Sequence, residues 1–214
     1  LSLRQIPNLV TLSRLFLAVG AFVLLGKMIF KETLGPVEVQ AAFLGFWCYL
    51  VAVLTDTLDG FLARRFGWVT RVGRIADPVV DKVLTLGALV YLACTPALAL
   101  PGDLAPLMPP WAVVVILARE FLVTAIRGLV ESTGHPFPAD GYGKVKMVLQ
   151  SIYVLIVIGV AGEIPSFVGM DFLRTLRHPV AIQAMFWLVV GLTLASGLVY
   201  LVKATRILAG FRDE

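Results

Sequence analysis

Four aspartates lie close together in a chain whose other residues are largely apolar. They form two pairs, Asp56 with Asp59 and Asp77 with Asp81, and apolar sequence flanks each pair. A carboxylate within a membrane-spanning segment costs roughly 3 kcal/mol or more, so such residues usually mark a function. Four of them need compensating positive charge, and bound divalent cations are the simplest source. The aspartates therefore indicate a metal-dependent site.

The spacing within each pair predicts helices that present both carboxylates on one face. Asp56 and Asp59 are three residues apart, and Asp77 and Asp81 are four apart. The second pair allows two readings. Asp77 caps a helix that has Pro78 at its first position, or the helix begins earlier and Pro78 bends it.

Carboxylate oxygens, with no Cys or His nearby, favour hard cations, so Mg²⁺ or Mn²⁺ is expected before Zn²⁺. We expect two such ions, because a pair of them is a common clamp for phosphoryl chemistry. The small residues Gly60, Ala63 and Gly73 leave room for another backbone or a nucleotide. Arg64 supplies a guanidinium suited to phosphate oxygens.

The elements that hold these residues are predicted to be membrane-spanning helices. Of the 214 residues, 59% are hydrophobic, and the mean hydropathy is +0.91. This composition excludes a soluble domain and predicts an all-α integral membrane protein with one domain over residues 1–214. Six spans of sufficient length are expected: Leu9–Phe30, Val37–Thr55, Val79–Leu100, Trp111–Val130, Val145–Ile164 and Ala181–Leu208.

Basic residues predict the orientation of these spans. Most of the 18 Lys and Arg residues fall on the side of the two termini and the aspartates. Only Lys27, Lys31, Arg174 and Arg177 fall on the other side. Both termini and the aspartates are therefore expected at the cytoplasmic face, most simply of a bacterial inner membrane. The net charge of +4 reflects this topology, and no nucleic-acid partner is expected.

Polar residues at the start of the first helix also recur on roughly one face. Asn8, Thr11 and Arg14 are spaced three residues apart. One interpretation is an N-cap Asn with an interfacial Arg whose head reaches water. The other places all three beside a nucleotide.

Cationic residues in the fourth and fifth spans predict a second part of the site. Arg119 and Arg127 share a stripe of the fourth helix, and Lys144 and Lys146 open the fifth. Glu120 is placed to neutralise Arg119. If the four cations converge near the aspartates, they form a pocket for an acceptor that carries phosphate. Alternatively, the two lysines serve only the membrane topology.

The aspartate pattern resembles the signature of the CDP-alcohol phosphotransferases. It reads D-x-x-D-G-x-x-A-R, eight residues, then G-x-x-x-D-x-x-x-D, from Asp56 to Asp81. Three further segments look like those of bacterial phosphatidylglycerophosphate synthases: Ile6–Leu15, Ala118–Glu120 and Gly143–Met147. The resemblance therefore extends over nearly the whole chain.

This resemblance implies an enzyme with six transmembrane helices, paired as a homodimer, that binds two divalent metal ions. It would transfer the phosphatidyl group of CDP-diacylglycerol to sn-glycerol 3-phosphate and release CMP. The metal ligands would be Asp56, Asp59, Asp77 and Asp81, with Asp81 also the general base. The CDP moiety would lie against Asn8, Thr11, Arg14, Asp56, Gly60, Ala63, Arg64 and Gly73.

Other functions also place acidic residues in a membrane. An ion-coupled transporter is the leading alternative, but it predicts charges spread over several helices at mid-membrane, often with an inverted repeat. Within the resembling family, phosphatidylinositol-phosphate, phosphatidylserine and cardiolipin synthases are the alternatives. The phosphoinositol acceptor is the hardest of these to separate, because it too requires a phosphate pocket.

Overall fold

The computed structural model describes most of the chain. The backbone is described for residues 6–66, 71–98, 107–132, 141–164 and 178–210. Within these ranges, side chains are not described for residues 6–11, 57–66, 71–78, 142, 179 and 208–210.

The described backbone is almost entirely helical and contains no strand, which confirms the predicted all-α class. The described residues form six long helices: α1 Ile6–Leu25, α2 Pro36–Phe66, α3 Arg71–Ala93, α4 Pro110–Ser132, α5 Gly141–Ala161 and α6 Pro179–Gly210. Short 3-10 turns, Gly26–Met28 and Pro96–Leu98, follow α1 and α3.

The helix bounds decide between the two readings of the second aspartate pair. Helix α3 begins at Arg71, so Asp77 lies inside the helix and does not cap it. Helix α2 continues without interruption to Phe66, so Asp56 and Asp59 share one helix, as predicted.

Three predicted spans run too far at their C-terminal ends. Helix α5 stops at Ala161 and not at Ile164, because Glu163 has φ of 55°. Helix α3 stops at Ala93 and not at Leu100, because Pro96 lacks the backbone N–H that would extend the helix and restricts the residue before it. Helix α1 stops at Leu25 and not at Phe30. Phe30 has φ of 59°, a left-handed value that no helix continues through.

Three stretches of the described residues are long and apolar enough to cross a membrane: Pro36–Asp56, Gly143–Ala161 and Val180–Ile207. Many large apolar side chains on the outside of the bundle are exposed, among them Phe16, Phe121 and Trp187. Such a surface suits lipid contact, since soluble monomers rarely expose apolar patches of this extent.

Side-chain contacts show that consecutive helices alternate in direction. Arg14, early in α1, pairs with Asp56, late in α2. Lys82 of α3 contacts Thr124 of α4, and Lys146, early in α5, pairs with Glu120 of α4. Late in α4, Val130 packs in one cluster with Ala204, late in α6. The N-terminal parts of α1, α3 and α5 therefore lie at the same end of the bundle as the C-terminal parts of α2, α4 and α6. We call this the polar end.

The core between the helices is apolar and includes residues from every long helix, such as Ala18, Tyr49, Leu89, Ile116 and Tyr153. A smaller cluster of Val123, Val130, Tyr200 and Ala204 joins α4 to α6 toward the polar end.

Candidate functional site

A cavity of about 370 Å³ opens among α3, α4, α5 and α6 near the polar end. This volume falls within the range of pockets that hold small molecules. Five cationic side chains and two carboxylates line it: Lys82, Arg119, Arg127, Lys144, Lys146, Asp81 and Glu120. The excess of positive charge makes the cavity suited to an anionic ligand.

Asp81 stands at the α3 wall of this cavity and is half-buried. Arg14, Lys82, Glu120 and Lys146 are all near enough to act on its carboxylate electrostatically. The neighbouring Lys82 donates a hydrogen bond from Nζ to Oγ1 of Thr124. This contact ties α3 to α4 and leaves Asp81 facing the cavity without an ion-pair partner among the described side chains.

Arg14 and Asp56 join α1 to α2 beside this site. Nη1 of Arg14 donates to Oδ1 of Asp56 in an ion pair, and the Arg14 side chain is only 1% exposed. Burial of a guanidinium requires an anionic partner. Arg14 is therefore an internal residue of the bundle, and the structure does not support the interpretation that its head reaches water.

Glu120 forms a branched ion pair at the centre of the cavity wall. Its Oε1 accepts hydrogen bonds from Nη1 of Arg119, at 2.8 Å, and from Nζ of Lys146. All three side chains are mostly buried. Glu120 thus neutralises Lys146 as well as Arg119, and it fixes both cations against α4.

Helix α6 holds Arg119 from the other side. Nη2 of Arg119 donates a 2.8 Å hydrogen bond to Oγ of Ser196. A Cβ atom at Gly197 would lie 3.0 Å from Cγ of Arg119, so the absence of a side chain there lets the arginine pass close to α6.

Tyr200 lies between the two arginines of α4. Its hydroxyl oxygen accepts a 3.0 Å hydrogen bond from Nη2 of Arg127. The guanidinium carbons of Arg119 and Arg127 lie 5.8 and 5.7 Å from the centroid of its ring, within cation–π range. Tyr200 is therefore placed to set the separation of the two guanidinium groups.

Several buried polar atoms of the cavity have no hydrogen-bond partner in the described part of the chain. They are Nε of Arg119, Nε of Arg127 and Nε2 of Gln150. The hydroxyl of Thr85, which also lines the cavity, lies beside the buried hydroxyl of Tyr49. Buried polar groups are nearly always paired with protein or water, so unused ones that line a cavity point to a polar occupant.

The structure brings together a large part of the predicted site. Arg119, Arg127, Lys144 and Lys146 line the same cavity as Asp81. Arg119 and Lys146 are buried, whereas Lys144 is exposed at the mouth. Their roles in catalysis and binding stay predictions.

The other predicted residues lie on helices whose side chains are not described at those positions. Asp59, Gly60, Ala63 and Arg64 fall on the C-terminal part of α2. Gly73 and Asp77 fall on α3, and Asn8 and Thr11 on α1. The predictions for the side chains of these eight residues therefore lie outside the described part of the chain.

Several cavity residues were missed from sequence. Thr85 and Gln150 stand one helical turn beyond Asp81 and Lys146, so the i, i+4 spacing could have indicated them. Tyr200 and Ser196 follow α4 by more than 60 residues, and no local pattern links them to Arg119 or Arg127. Only the packing of α4 on α6 shows that relation.

Among the side chains that are described, no three of His, Cys, Asp and Glu cluster as a metal site requires. Two of the four aspartates, Asp59 and Asp77, are not part of that set. The donor chemistry of Asp56 and Asp81, carboxylate oxygen alone, nevertheless fits a hard divalent cation.

Comparison with known proteins gives one consistent answer. A family profile described as CDP-alcohol phosphatidyltransferase matches residues 4–196. A CDP-diacylglycerol–glycerol-3-phosphate 3-phosphatidyltransferase of Bacillus subtilis is 33% identical over 205 residues, which cover 93% of this chain and 94% of that protein. A probable phosphatidylglycerophosphate synthase of Mycobacterium tuberculosis is 32% identical over 166 residues, 77% of this chain and 68% of that protein. A protein of Rickettsia typhi with the same name as the Bacillus one is 26% identical over 199 residues, 92% and 96% of the two chains.

Proposed function

The chain belongs to the CDP-alcohol phosphatidyltransferase family, and we propose that it transfers the phosphatidyl group of CDP-diacylglycerol to sn-glycerol 3-phosphate. The products would be phosphatidylglycerol phosphate and CMP. The relatives from Bacillus and Rickettsia carry the name of this reaction.

One observation carries the choice of acceptor. The cavity beside Asp81 is lined by five cations and two carboxylates, and the Nε groups of Arg119 and Arg127 are buried there without a hydrogen-bond acceptor among the described residues. A phosphate group supplies the oxygens that such guanidinium groups bind best. An acceptor without phosphate, such as serine, would leave the positive charge of this cavity uncompensated.

In the proposed reaction, Asp81 acts as the general base. The hydroxyl oxygen of the acceptor forms a bond to the phosphorus of the phosphatidyl group, and the bond from that phosphorus to the CMP oxygen breaks. The hydroxyl proton passes to the Asp81 carboxylate. Arg119, Arg127, Lys144 and Lys146 hold the acceptor phosphate and so orient the attacking hydroxyl toward Asp81.

We propose two divalent cations, Mg²⁺ or Mn²⁺, held by Asp56, Asp59, Asp77 and Asp81. When bound, such ions would neutralise the diphosphate of the donor and the charge on the departing CMP. Arg14 pairs with Asp56 and so helps to orient that carboxylate. The CDP moiety would lie along Asn8, Thr11, Arg14, Asp56, Gly60, Ala63, Arg64 and Gly73.

The membrane arrangement forms part of the same proposal. Six spans in one domain, with both termini and the polar end at the cytoplasmic face of the inner membrane, would let a lipid-anchored donor meet a soluble acceptor. The alternating helix directions and the cluster of charge at one end support this arrangement. A homodimer is proposed from the resemblance alone.

An acceptor panel tests the proposal. Purified protein in detergent is given CDP-diacylglycerol and Mg²⁺ or Mn²⁺, and CMP release is followed with sn-glycerol 3-phosphate, inositol phosphate or serine. Release with glycerol 3-phosphate, and little with the others, is expected. Release with inositol phosphate or serine alone would overturn the acceptor, and no release with any acceptor would leave the transporter alternative standing.

A further inference from the structure

Beyond its charged groups, the cavity contains a neutral polar patch that neither the general base nor the phosphate contacts use. The patch consists of Thr85 and Gln150, which are 5% and 1% exposed. Both line the same cavity as Asp81 and Lys146. Nε2 of Gln150 is buried and has no hydrogen-bond partner among the described residues. The hydroxyl of Thr85 lies beside the buried hydroxyl of Tyr49, and a hydroxyl group can bond to a second partner as well.

The two helices place this patch at one depth. Thr85 follows Asp81 by four residues on α3, and Gln150 follows Lys146 by four on α5. Each pair therefore stands on one face of its helix, one turn apart. Since α3 and α5 run in the same direction from the polar end, both neutral residues lie one turn deeper in the bundle than the charged ones.

The chemistry of the patch differs from that of the rest of the cavity wall. A hydroxyl group both donates and accepts a hydrogen bond, and a carboxamide offers two donors and one acceptor. Neither group carries charge, so the patch adds nothing to phosphate attraction. A neutral hydroxyl group, which also donates and accepts, complements it best.

We propose that Thr85 and Gln150 hydrogen-bond the second, non-reacting hydroxyl group of the acceptor. This inference rests on the proposed function, in which the phosphate lies against the cations and the reacting hydroxyl against Asp81. The acceptor class is thereby narrowed to a phosphate ester that carries two neighbouring hydroxyl groups. Thr85 and Gln150 are specificity-determining residues and take no part in proton transfer.

A site built to bind a substrate hydroxyl rejects the analogue that lacks it, because its own buried polar groups are then left unpaired. The matched analogue here is 3-hydroxypropyl phosphate, which keeps the phosphate and the primary hydroxyl of glycerol 3-phosphate and lacks only the secondary hydroxyl. The wild-type protein should show kcat/KM about 10-fold or more higher for glycerol 3-phosphate.

The test compares the two acceptors in Gln150→Met and Thr85→Val, which keep side-chain size and remove hydrogen-bonding groups. Each variant should lower kcat/KM for glycerol 3-phosphate about 10-fold and leave that for 3-hydroxypropyl phosphate nearly unchanged. Gln40→Met and Thr95→Val are matched controls, because both residues lie at the opposite end of the bundle. Neither control should change the ratio of kcat/KM for glycerol 3-phosphate to kcat/KM for 3-hydroxypropyl phosphate.

The outcomes separate the inference from the proposed function. If the wild-type protein releases CMP equally well with glycerol 3-phosphate and with the analogue, the patch does not bind the second hydroxyl group and the inference is overturned. If the variants lower kcat/KM equally for both acceptors, Thr85 and Gln150 have a structural role and the inference is overturned. If the wild-type protein uses neither acceptor, the proposed function itself fails.

Discussion

The two ends of the helix bundle are held together by different interactions. At the polar end, ionisable side chains join the helices: Arg14 with Asp56, Glu120 with Lys146, and Arg127 with Tyr200. At the opposite end, backbone groups and aromatic rings do so, beside the half-exposed ion pair of Lys31 with Glu38. There the N–H of Phe30 donates to the carbonyl of Cys94 at 2.9 Å, and Trp111 packs edge-on against Phe186 at 5.9 Å.

This difference separates function from stability. Backbone hydrogen bonds and ring packing need no charge, and they can hold helices in place by themselves. Buried ion pairs contribute little net stability, because desolvation of the charges offsets their attraction. Their concentration at one end is therefore a sign of binding and catalysis, and mutations at the two ends should act on different measurements.

The largest effect is expected at the proposed base. Asp81→Asn keeps the size of the side chain and removes the carboxylate that we propose accepts the proton, so kcat should fall about 10²- to 10⁴-fold. Binding of the CDP-lipid, measured by competition with a labelled analogue, should change much less. A variant that retains more than a tenth of the wild-type kcat would exclude Asp81 as the base.

Loss of a cation from the cavity should weaken binding of the acceptor more than binding of the donor. Arg127→Gln and Lys144→Gln are expected to raise KM for glycerol 3-phosphate about 10- to 100-fold, since each removes a charge from the proposed phosphate pocket. KM for CDP-diacylglycerol should be nearly unchanged. Lys31→Gln, at the opposite end, is the control. If KM for glycerol 3-phosphate is the same in all three variants, Arg127 and Lys144 serve membrane topology alone.

A smaller effect is expected where Tyr200 positions Arg127. Tyr200→Phe keeps the ring between the arginines and removes the oxygen that accepts the 3.0 Å hydrogen bond. A loss of about 1 kcal/mol in the free energy of acceptor binding corresponds to roughly a 5-fold rise in KM for the acceptor. The values of kcat and of KM for the donor should be largely retained. Tyr200→Leu, which also removes both cation–π contacts, should raise it further. The same KM in both variants as in the wild type would show that Tyr200 does not position Arg127.

A mutation at the opposite end should change the stability of the protein and leave its kinetic constants unchanged. Tyr153 donates a hydrogen bond to the carbonyl of Leu107, and Tyr153→Phe removes that bond. The free energy of unfolding should fall by about 1 kcal/mol, seen as a lower Tm in detergent, while both KM values stay the same. A change in acceptor KM without a change in Tm would contradict the separation of the two ends.

The sequence predicts helices and local faces well, and long-range contacts poorly. The helical class and the shared helix of Asp56 and Asp59 followed from apolar length and spacing. The ends of α1 and α3 did not, because apolar composition continues past Leu25 and Ala93 while Phe30 and Pro96 interrupt the helices. A hydropathy pattern does not register such backbone constraints.

The same limit holds for the site. The convergence of the cations of α4 and α5 could be proposed from membrane charge and helix spacing, and the cavity contains all four. That Glu120 neutralises Lys146, and that Tyr200 lies between two arginines, depends on how α5 and α6 pack on α4. Side-chain partners many residues apart leave no periodic signal in one sequence.

The most direct test follows labelled glycerol 3-phosphate into lipid. Purified wild-type protein and Asp81→Asn are incubated with CDP-diacylglycerol, Mg²⁺ or Mn²⁺ and glycerol 3-phosphate labelled in its carbon chain, and the lipid phase is then extracted. Label should appear in phosphatidylglycerol phosphate with an equal amount of CMP in the wild-type reaction, and be nearly absent with Asp81→Asn. CMP released without label in the lipid, or equal labelling by the two proteins, would contradict transfer to glycerol 3-phosphate by an Asp81-dependent site.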